Sequence, residues 1–428
     1  MNFERTQQFA QNKDQQDPLR SFRDEFYFPE PGKDKVVYFA GNSLGLQPKK
    51  ARAELEQELE DWKNIAVKGH VQAERPWVSY ESDFQEPLAD ITGAKPDEVV
   101  AMNTLTVNLH LLTVSFYQPD EQRNKILIDG KTFPSDRYAM HSQAQFYGFD
   151  PLEKVVEVMP SGEGEPVTSR AILEAMEKHK DKLKLVMISA VHYYTGEYFD
   201  IEAIAHKARE NDIFLGLDLA HAIGNVPLSL HEWGVDFAVW CSYKYLNGGP
   251  GAIGGAFVHE KHHSKDGIFR LAGWWGHNPE TRFDMPHRFD PQPDIRGWQL
   301  SNVPIFSLAP QRASLQSFTR AGMEAIRSKS LELTDYLAFV IREIGEKYNL
   351  PFKIITPLEH KYRGAQLSLE AGPEGKSLYD KLVENDVVLD WRSPSVIRMA
   401  PAPLYNSFED VYRFGEILEK AVREVYEG

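Results

Sequence analysis

The sequence is short of cysteine, of long apolar runs and of basic residues, and each shortage excludes a class of protein. Cys241 is the single cysteine among 428 residues, so neither an internal disulfide nor a CxxC metal site can form, and we expect no metal. No apolar run approaches the roughly 18 residues that a membrane-spanning helix needs. Lys and Arg number 48 against 63 for Asp and Glu, and this net charge of −15 disfavours nucleic acid and anionic membrane surfaces as partners.

The remaining composition is that of an ordinary globular protein. Hydrophobic residues make up 42% of the chain and charged residues 26%, which excludes a disordered or fibrous chain. The N-terminal segment MNFERTQQFAQNKDQQD is polar and has no apolar core of the kind that a signal peptide carries. We therefore expect a cytoplasmic enzyme or carrier.

Short apolar segments alternate with helical patterns through the middle of the chain. This alternation predicts an α/β fold with a parallel or mostly parallel sheet that is covered on both faces. Ligands of such sheets bind at the carboxyl ends of the strands. The predicted strands are 125–129, 184–189, 214–218, 236–241 and 254–259, with a helix at 200–211.

We predict three parts: an N-terminal arm (1–30), a large domain (31–315) and a smaller α+β domain (316–428) on which the arm packs. A helix is expected to begin near Pro48 and to carry one apolar stripe. Residues 261–315 lack periodicity, which is typical of a functional loop region, and a long helix is expected at 311–348. The last helix is expected to begin at Ser407, which has a capping pattern.

The segment from Asp218 to Lys244 carries the strongest chemical signal. It places an aspartate at the end of one predicted strand, a lysine after the next, and a glycine-rich loop beyond the lysine. Pyridoxal phosphate (PLP) needs a lysine amine as covalent partner, a carboxylate beside its ring nitrogen, and backbone amides and hydroxyls around its phosphate. Lys244, Asp218 and the segment 103–106, at the start of an apolar helix, meet these three needs. Taken singly, such residues are more often caps and surface charges, but their joint spacing predicts a PLP site.

The same motifs resemble those of the kynureninase family, PLP enzymes of aminotransferase fold type I. The resemblance covers nearly the whole chain. Its most specific stretches are FPSD at 133–136 and the run from 218 to 247. The others are YFAGNSLGLQP at 38–48, GHVQAERPW at 69–77, NTLTVNLHLL at 103–112, VHYYTG at 191–196, GWWGH at 273–277, LSNVPI at 300–305 and IRMAPAPLYNSF at 397–408.

The resemblance implies the composition of the cofactor pocket. Lys244 would bind PLP covalently, with Tyr243 and Asp218 as further catalytic residues, and Phe133 would stack on the ring. Trp274 and Asn302 would complete the site from the neighbouring subunit of a homodimer. The implied cofactor-binding residues are Leu105, Thr106, Phe133, Pro134, Ser135, Asp136, Ser189, Asp218, His221, Tyr243, Lys244, Trp274 and Asn302.

The resemblance also implies a substrate and a reaction. Arg398 stands where the family binds the substrate α-carboxylate, which suits a bidentate guanidinium. Ser43, His70 and Asn302 match residues at the aryl end of the substrate. The implied reaction is hydrolysis of L-kynurenine, or of its 3-hydroxy form, to anthranilate or 3-hydroxyanthranilate and L-alanine. It would serve tryptophan catabolism or NAD biosynthesis.

Three alternatives stay open at this point. An aminotransferase of the same fold is compatible with the cofactor motifs. A desulfurase-like lyase needs a mobile cysteine, whereas Cys241 lies in a predicted strand and is interpreted as core packing. A catalytically silent binding protein would be expected to lack Lys244 or Asp218, and both are present.

Overall fold

The apolar segments between residues 99 and 258 form one seven-stranded sheet. The computed structural model describes residues 3–29, 36–160, 166–263 and 268–427. Its strands are β1 (Val37–Tyr38), β2 (Val99–Ala101), β3 (Lys125–Asp129), β4 (Val155–Val158), β5 (Leu183–Ser189), β6 (Phe214–Asp218), β7 (Phe237–Trp240), β8 (Gly255–Val258), β9 (Lys353–Ile354), β10 (Leu367–Glu370), β11 (Val387–Val388), β12 (Asp390–Arg392) and β13 (Val396–Met399).

Helices connect these strands and cover the large sheet. They are α1 (Gln7–Gln16), α2 (Ala51–Ile65), α3 (Gly69–Gln72), α4 (Ser82–Thr92), α5 (Leu105–Phe116), α6 (Pro134–Phe146), α7 (Pro151–Lys154), α8 (Ser169–His179), α9 (Ile201–Glu210), α10 (Leu230–Trp233), α11 (Ile305–Ala321), α12 (Met323–Lys347), α13 (Gly375–Glu384) and α14 (Phe408–Tyr426).

The large sheet has the strand order β2-β8-β7-β6-β5-β3-β4. The strands from β7 to β4 are parallel, whereas β8 runs antiparallel to both β7 and β2. The predicted α/β fold with a mostly parallel sheet is confirmed. Because strands β3, β5, β6 and β7 run in one direction, their carboxyl ends meet at one edge, where Asp129, Ser189, Asp218 and Cys241 lie.

The predicted helix at 311–348 is wrong in detail. The helical region begins earlier, at Ile305, and is divided into α11 and α12 by Gly322, whose φ is +74°. A residue with this φ leaves the right-handed helical region, and glycine adopts it without strain. The proposed boundary between 315 and 316 falls within α11 and stays a prediction.

The C-terminal part of the chain builds a second, smaller sheet of order β12-β13-β10-β9, which is antiparallel throughout. Helix α1 packs on α14. The Asp14 carboxylate accepts the Phe408 N–H at 2.7 Å and the Glu409 N–H at 3.0 Å, and thereby caps α14. Ser407 and Asp410 form the predicted capping box at the same end. The N-terminal residues are thus joined to the last helix.

None of the helices in the described ranges combines the length and the apolar character that crossing a bilayer requires.

Candidate active site

Lys244 follows β7, and its amine lies over the carboxyl edge of the large sheet. Its Nζ is 2.9 Å from His221 Nε2. Burial and the nearby positive charge of Lys244 hold the pKa of His221 well below its ordinary value, so the imidazole is neutral and its Nε2 can accept a hydrogen bond from the amine. His221 Nδ1 is buried without a hydrogen-bond partner among the described residues. Such an orphaned polar atom indicates a site built for a further polar group.

Two buried carboxyl groups meet beside Lys244. Burial and the adjacent Asp218 raise the pKa of Asp136 well above its ordinary value, so Asp136 holds a proton at neutral pH. Burial also raises the pKa of Asp218, while the hydrogen bond from Asp136 and the charge of Lys244 lower it. The pair therefore leaves Asp218 as the anion, which is the state needed to hold a pyridine nitrogen protonated.

A third buried carboxylate, Asp129, supports this edge of the sheet. It accepts hydrogen bonds from Ser189 N at 3.1 Å and from Ser189 Oγ at 2.7 Å. Ser189 pairs in register with Asp218 across β5 and β6, so Asp129 orients the strand end beside the acidic pair. His192 Nε2 lies 3.8 Å from Asp129 Oδ2. Asp129 and His192 were not predicted, although the strand-end position that indicated Asp218 also applies to Asp129.

The start of α5 has the features of a phosphate site. Its N-cap residue, Thr104, makes no side-chain capping bond, and the first N–H groups of a helix have no partner within the helix. Thr106 Oγ1 and Ser135 Oγ lie 2.9 Å apart. A Cβ on Gly254 would stand 2.4 Å from Trp240 O and 3.3 Å from Leu105 N, so only glycine allows this close approach. Two hydroxyls and a helix N-terminus thus converge where an anion can bind.

The FPSD motif turns the chain from β3 into α6. Pro134 is the first residue of α6, a position that suits its fixed φ, and Phe133 is the residue before it. The Phe133 ring is 45% exposed and meets Tyr193 edge to face at a centroid distance of 5.4 Å. One face of Phe133 is therefore available for stacking.

The loop of Ser43 lies against the segment that carries Tyr243 and Lys244. The Gly45 N–H donates to Tyr243 O at 2.8 Å, which joins the loop of Ser43 to the lysine segment. Burial raises the pKa of the Tyr243 hydroxyl, so the side chain stays protonated. Cys241 is buried directly after β7, as expected for core packing.

Arg398, on β13, is buried and already engaged by protein groups. Its Nη2 forms an ion pair with Asp390, and its Nη1 donates to Tyr193 O at 2.7 Å. Its Nε has no hydrogen-bond partner among the described residues. Burial lowers the pKa of the guanidinium, and the Asp390 charge opposes this. Arg398 therefore keeps one unused donor for a carboxylate, and Asp390, which the sequence analysis missed, fixes its orientation.

Three predicted residues lie apart from this cluster. Asn302 lines an exposed apolar hollow of about 430 Å³ with Trp62 and Phe306, and the His70 ring packs against Trp77, another residue of that hollow, at a centroid distance of 5.4 Å. Trp274 is 49% exposed and contacts Trp275 and Phe283. No recorded hydrogen bond or ring contact within the described residues joins these three to Lys244.

The loop that binds Arg398 contains a buried acid, Glu197. Burial raises its pKa from 4.5 to about 8, and its Oε2 has no hydrogen-bond partner among the described residues. The folded chain thus keeps a proton that the unfolded chain releases above pH 4.5, so stability falls as the pH rises from 4.5 to 8.

We expect Glu197→Gln to raise the free energy of unfolding by roughly 4 kcal/mol at pH 9 and to change it little at pH 4. Urea unfolding at both pH values measures this, with exposed Glu202→Gln as control, and an equal effect of Glu197→Gln at both would contradict it.

The fold and the site together define a PLP-dependent enzyme of the class-V aminotransferase group. The sequence model described as Aminotransferase class-V matches residues 37–353. The cysteine desulfurase CsdA of Escherichia coli superposes with a TM-score of 0.75 at 16% identity, over 95% of this chain and 99% of that one. A mutant of C-DES with glycine covalently linked to its PLP cofactor superposes with a TM-score of 0.74 at 17% identity, over 93% and 98%. At such identities these likenesses show the fold alone.

Sequence similarity is far more specific than the fold. The kynureninase of Myxococcus xanthus is 51% identical over 425 residues, covering 99% of both chains. That of Flavobacterium psychrophilum is 49% identical over 424 residues, covering 99% of this chain and 100% of the relative. The model described as Kynureninase C-terminal domain matches residues 326–418. The chain belongs to the kynureninase family, and the expectation drawn from its motifs is confirmed.

Proposed function

We propose that this chain hydrolyses L-kynurenine, or its 3-hydroxy form, to anthranilate or 3-hydroxyanthranilate and L-alanine. The single observation that carries the proposal is the Lys244–His221–Asp218–Asp136 cluster at the sheet edge, in a chain of this family. The reaction would serve tryptophan catabolism or NAD biosynthesis. The single cysteine supports a cytoplasmic location.

The described residues fit PLP at each of its three ends. The start of α5 with Thr106 and Ser135 would hold the phosphate, anionic Asp218 would face the ring nitrogen, and Lys244 would be the covalent partner. PLP, when bound, supplies an electron-accepting ring that stabilises negative charge on the carbon beside the substrate amine. The remaining proposed contacts follow from the same placement: Leu105, Phe133, Pro134, Asp136, Ser189, His221 and Tyr243 from this chain, and Trp274 and Asn302 from a partner.

The side chains of this chain would bind the substrate and move its protons. Arg398 would bind the α-carboxylate through its unused Nε. Lys244, whose amine is oriented by neutral His221, would remove the proton from the α-carbon. Water adds to the ketone carbon and the Cβ–Cγ bond breaks, so that the acyl fragment leaves as a carboxylate. The bond electrons remain on Cβ, to which the protonated Tyr243 would deliver a proton, and Lys244 would return its proton to the α-carbon, giving alanine.

The test is incubation of the purified holoenzyme with L-kynurenine and no keto acid. We expect anthranilate, followed by its fluorescence, and alanine in a ratio of one to one. An aminotransferase would need a keto-acid acceptor and would release no anthranilate, so dependence on an acceptor would contradict the proposal. A desulfurase is disfavoured because Cys241 is buried at the end of β7 and cannot act as a mobile nucleophile.

We further propose a homodimer that shares its active sites. The apolar stripe predicted on α2 is only partly buried: Leu59 is 42% exposed and Trp62 58% exposed, whereas Ala51 is buried. Trp62 contacts Phe306 at a ring-centroid distance of 5.8 Å, and both line an apolar hollow with Asn302 and Trp77, the residue that His70 contacts. Apolar surface of this kind marks interaction sites. A two-fold partner seated there would bury the stripe and bring His70 and Asn302 to its own Lys244.

Trp62→Glu is expected to convert the dimer to monomer, because it places a charge in the centre of the apolar surface. Light scattering would then give half the wild-type mass, and kynurenine turnover would fall at least about tenfold. Phe146→Glu changes a still more exposed aromatic residue at the end of α6 and should alter neither property. An unchanged mass for Trp62→Glu, or a wild-type mass equal to one chain, would overturn the shared-site arrangement.

A further inference from the structure

Glu98, His231 and His259 meet at the edge of the large sheet that is opposite to Lys244. Phe237, at the start of β7, pairs with Val258, at the end of β8, and His259 follows directly. Lys244 follows the other end of β7. The three residues therefore lie on the amino side of the parallel strands and take no part in the site described above.

Their potential ligand atoms have the spacing of a metal site. Glu98 Oε1 lies 2.9 Å from His231 Nδ1 and 3.5 Å from His259 Nδ1. One such atom from each residue lies within 4.8 Å of the other two. A tetrahedral zinc ion with bonds of about 2.0–2.1 Å holds its ligands about 3.3 Å apart. The two distances from Glu98 bracket this value, and the separation of the two histidines, which is at most 4.8 Å, would have to close onto the ion.

Hydrogen bonds from neighbouring groups orient two of the three side chains. The Glu98 carboxylate accepts the Lys95 N–H at 2.9 Å and the Glu260 N–H at 2.8 Å. His259 Nε2 donates to His231 O at 3.2 Å, which leaves Nδ1, 3.5 Å from Glu98 Oε1, as the ring nitrogen with the lone pair. Metal-binding histidines are typically held in this way, with the second ring nitrogen bonded to a carbonyl.

The exposure of the group also suits a cation. His259 Nδ1 accepts the Lys261 N–H at 3.2 Å, a bond that a cation would replace. Glu98 is fully buried, whereas the His231 and His259 side chains are 21% and 12% exposed, so the open side faces solvent.

We propose that Glu98, His231 and His259 form a binding site for a divalent transition-metal ion, zinc above all, with water as the fourth ligand. Two imidazoles and one carboxylate are ligands that zinc accepts. The ion would join the entry of β2, helix α10 and the end of β8, and would stabilise the antiparallel side of the sheet. The proposed site differs from the sequence-based expectation of no metal. Glu98, His231 and His259 are far apart in the chain, and only the fold brings them together.

The experiment uses tag-free holoenzyme and titrates it with Zn²⁺ by calorimetry and with Co²⁺ by absorbance. We expect one ion per chain, the visible band of tetrahedral Co²⁺, and a Tm higher by about 3 °C when Zn²⁺ exceeds its Kd a hundredfold. His231→Ala and His259→Ala should each weaken binding at least about 100-fold. His206→Ala removes an exposed histidine that lies 3.6 Å from Glu210 and should leave binding unchanged.

If His259→Ala does not fold, as judged by circular dichroism, His259→Gln replaces it, because glutamine keeps the size and polarity of the side chain. Absence of Zn²⁺ binding, or equal binding by the wild type and the folded His231 and His259 variants, would overturn the proposal. Because the group is remote from Lys244, the variants should turn over kynurenine normally, so a failure of the proposed activity leaves this test intact.

Discussion

Lys244→Ala is expected to lower kcat at least about 10⁴-fold, since it removes both the covalent partner of the cofactor and the amine that moves the substrate proton. The physical basis is the position of Nζ, 2.9 Å from neutral His221 and beside the anionic Asp218. Turnover is measured by anthranilate fluorescence, and the covalent bond by the visible absorbance of the PLP-saturated protein. Both signals should disappear together.

Lys178→Ala, at an exposed position on α8, is the matched control and should keep both the turnover and the absorbance. A second measurement identifies the covalent partner directly. Borohydride reduction followed by peptide mapping should attach the cofactor to Lys244. Near-normal turnover by Lys244→Ala, or attachment to another lysine, would remove the basis of the mechanism.

Asp218→Asn is expected to lower kcat about 10³-fold, with folding preserved, because the amide has the same shape but cannot supply the negative charge beside the ring nitrogen. Asp136→Asn is the matched control. The raised pKa of Asp136 makes it a neutral donor to Asp218, and an amide can replace a neutral donor. We therefore expect a loss of only about tenfold for Asp136→Asn.

The comparison of the two variants tests the assignment of charge within the pair. If Asp218 is the anion, the two losses differ by about a hundredfold, as steady-state kinetics on the PLP-saturated variants would show. Equal losses, or a larger loss for Asp136→Asn, would mean that the proton lies on Asp218 instead. In that case Asp136 would be the partner of the ring nitrogen.

Local sequence patterns predicted the elements that carry the cofactor site. The strand that ends at Asp218 and the helix that begins after Thr104 depend on apolar runs and on neighbouring residues, which are visible along the chain. The capping box at Ser407 is local in the same sense. The break at Gly322 was missed because a glycine in a helical pattern is tolerated as often as it ends the helix.

The ion pair of Arg398 with Asp390 was not predicted, because strand register decides it. Asp390 and Arg398 are Cα partners across β12 and β13, and no pattern in the sequence indicates this register. The exposure of Trp62 could not be predicted either, because an apolar stripe has the same periodicity whether it packs in a core or against a partner. Strand register and side-chain exposure are fixed only when the whole chain has packed.

The sequence by itself determined the fold class, the family and the residues available for PLP chemistry, because these depend on periodicity, motif and residue type. The tertiary structure decided that Asp136 and Asp218 meet as a buried pair, which donors of Arg398 are already bonded, and which surfaces stay open. It also placed Glu98, His231 and His259 around one point. Each of these depends on burial and on distances of a few ångströms between residues far apart in sequence, and these are set only when the chain is folded.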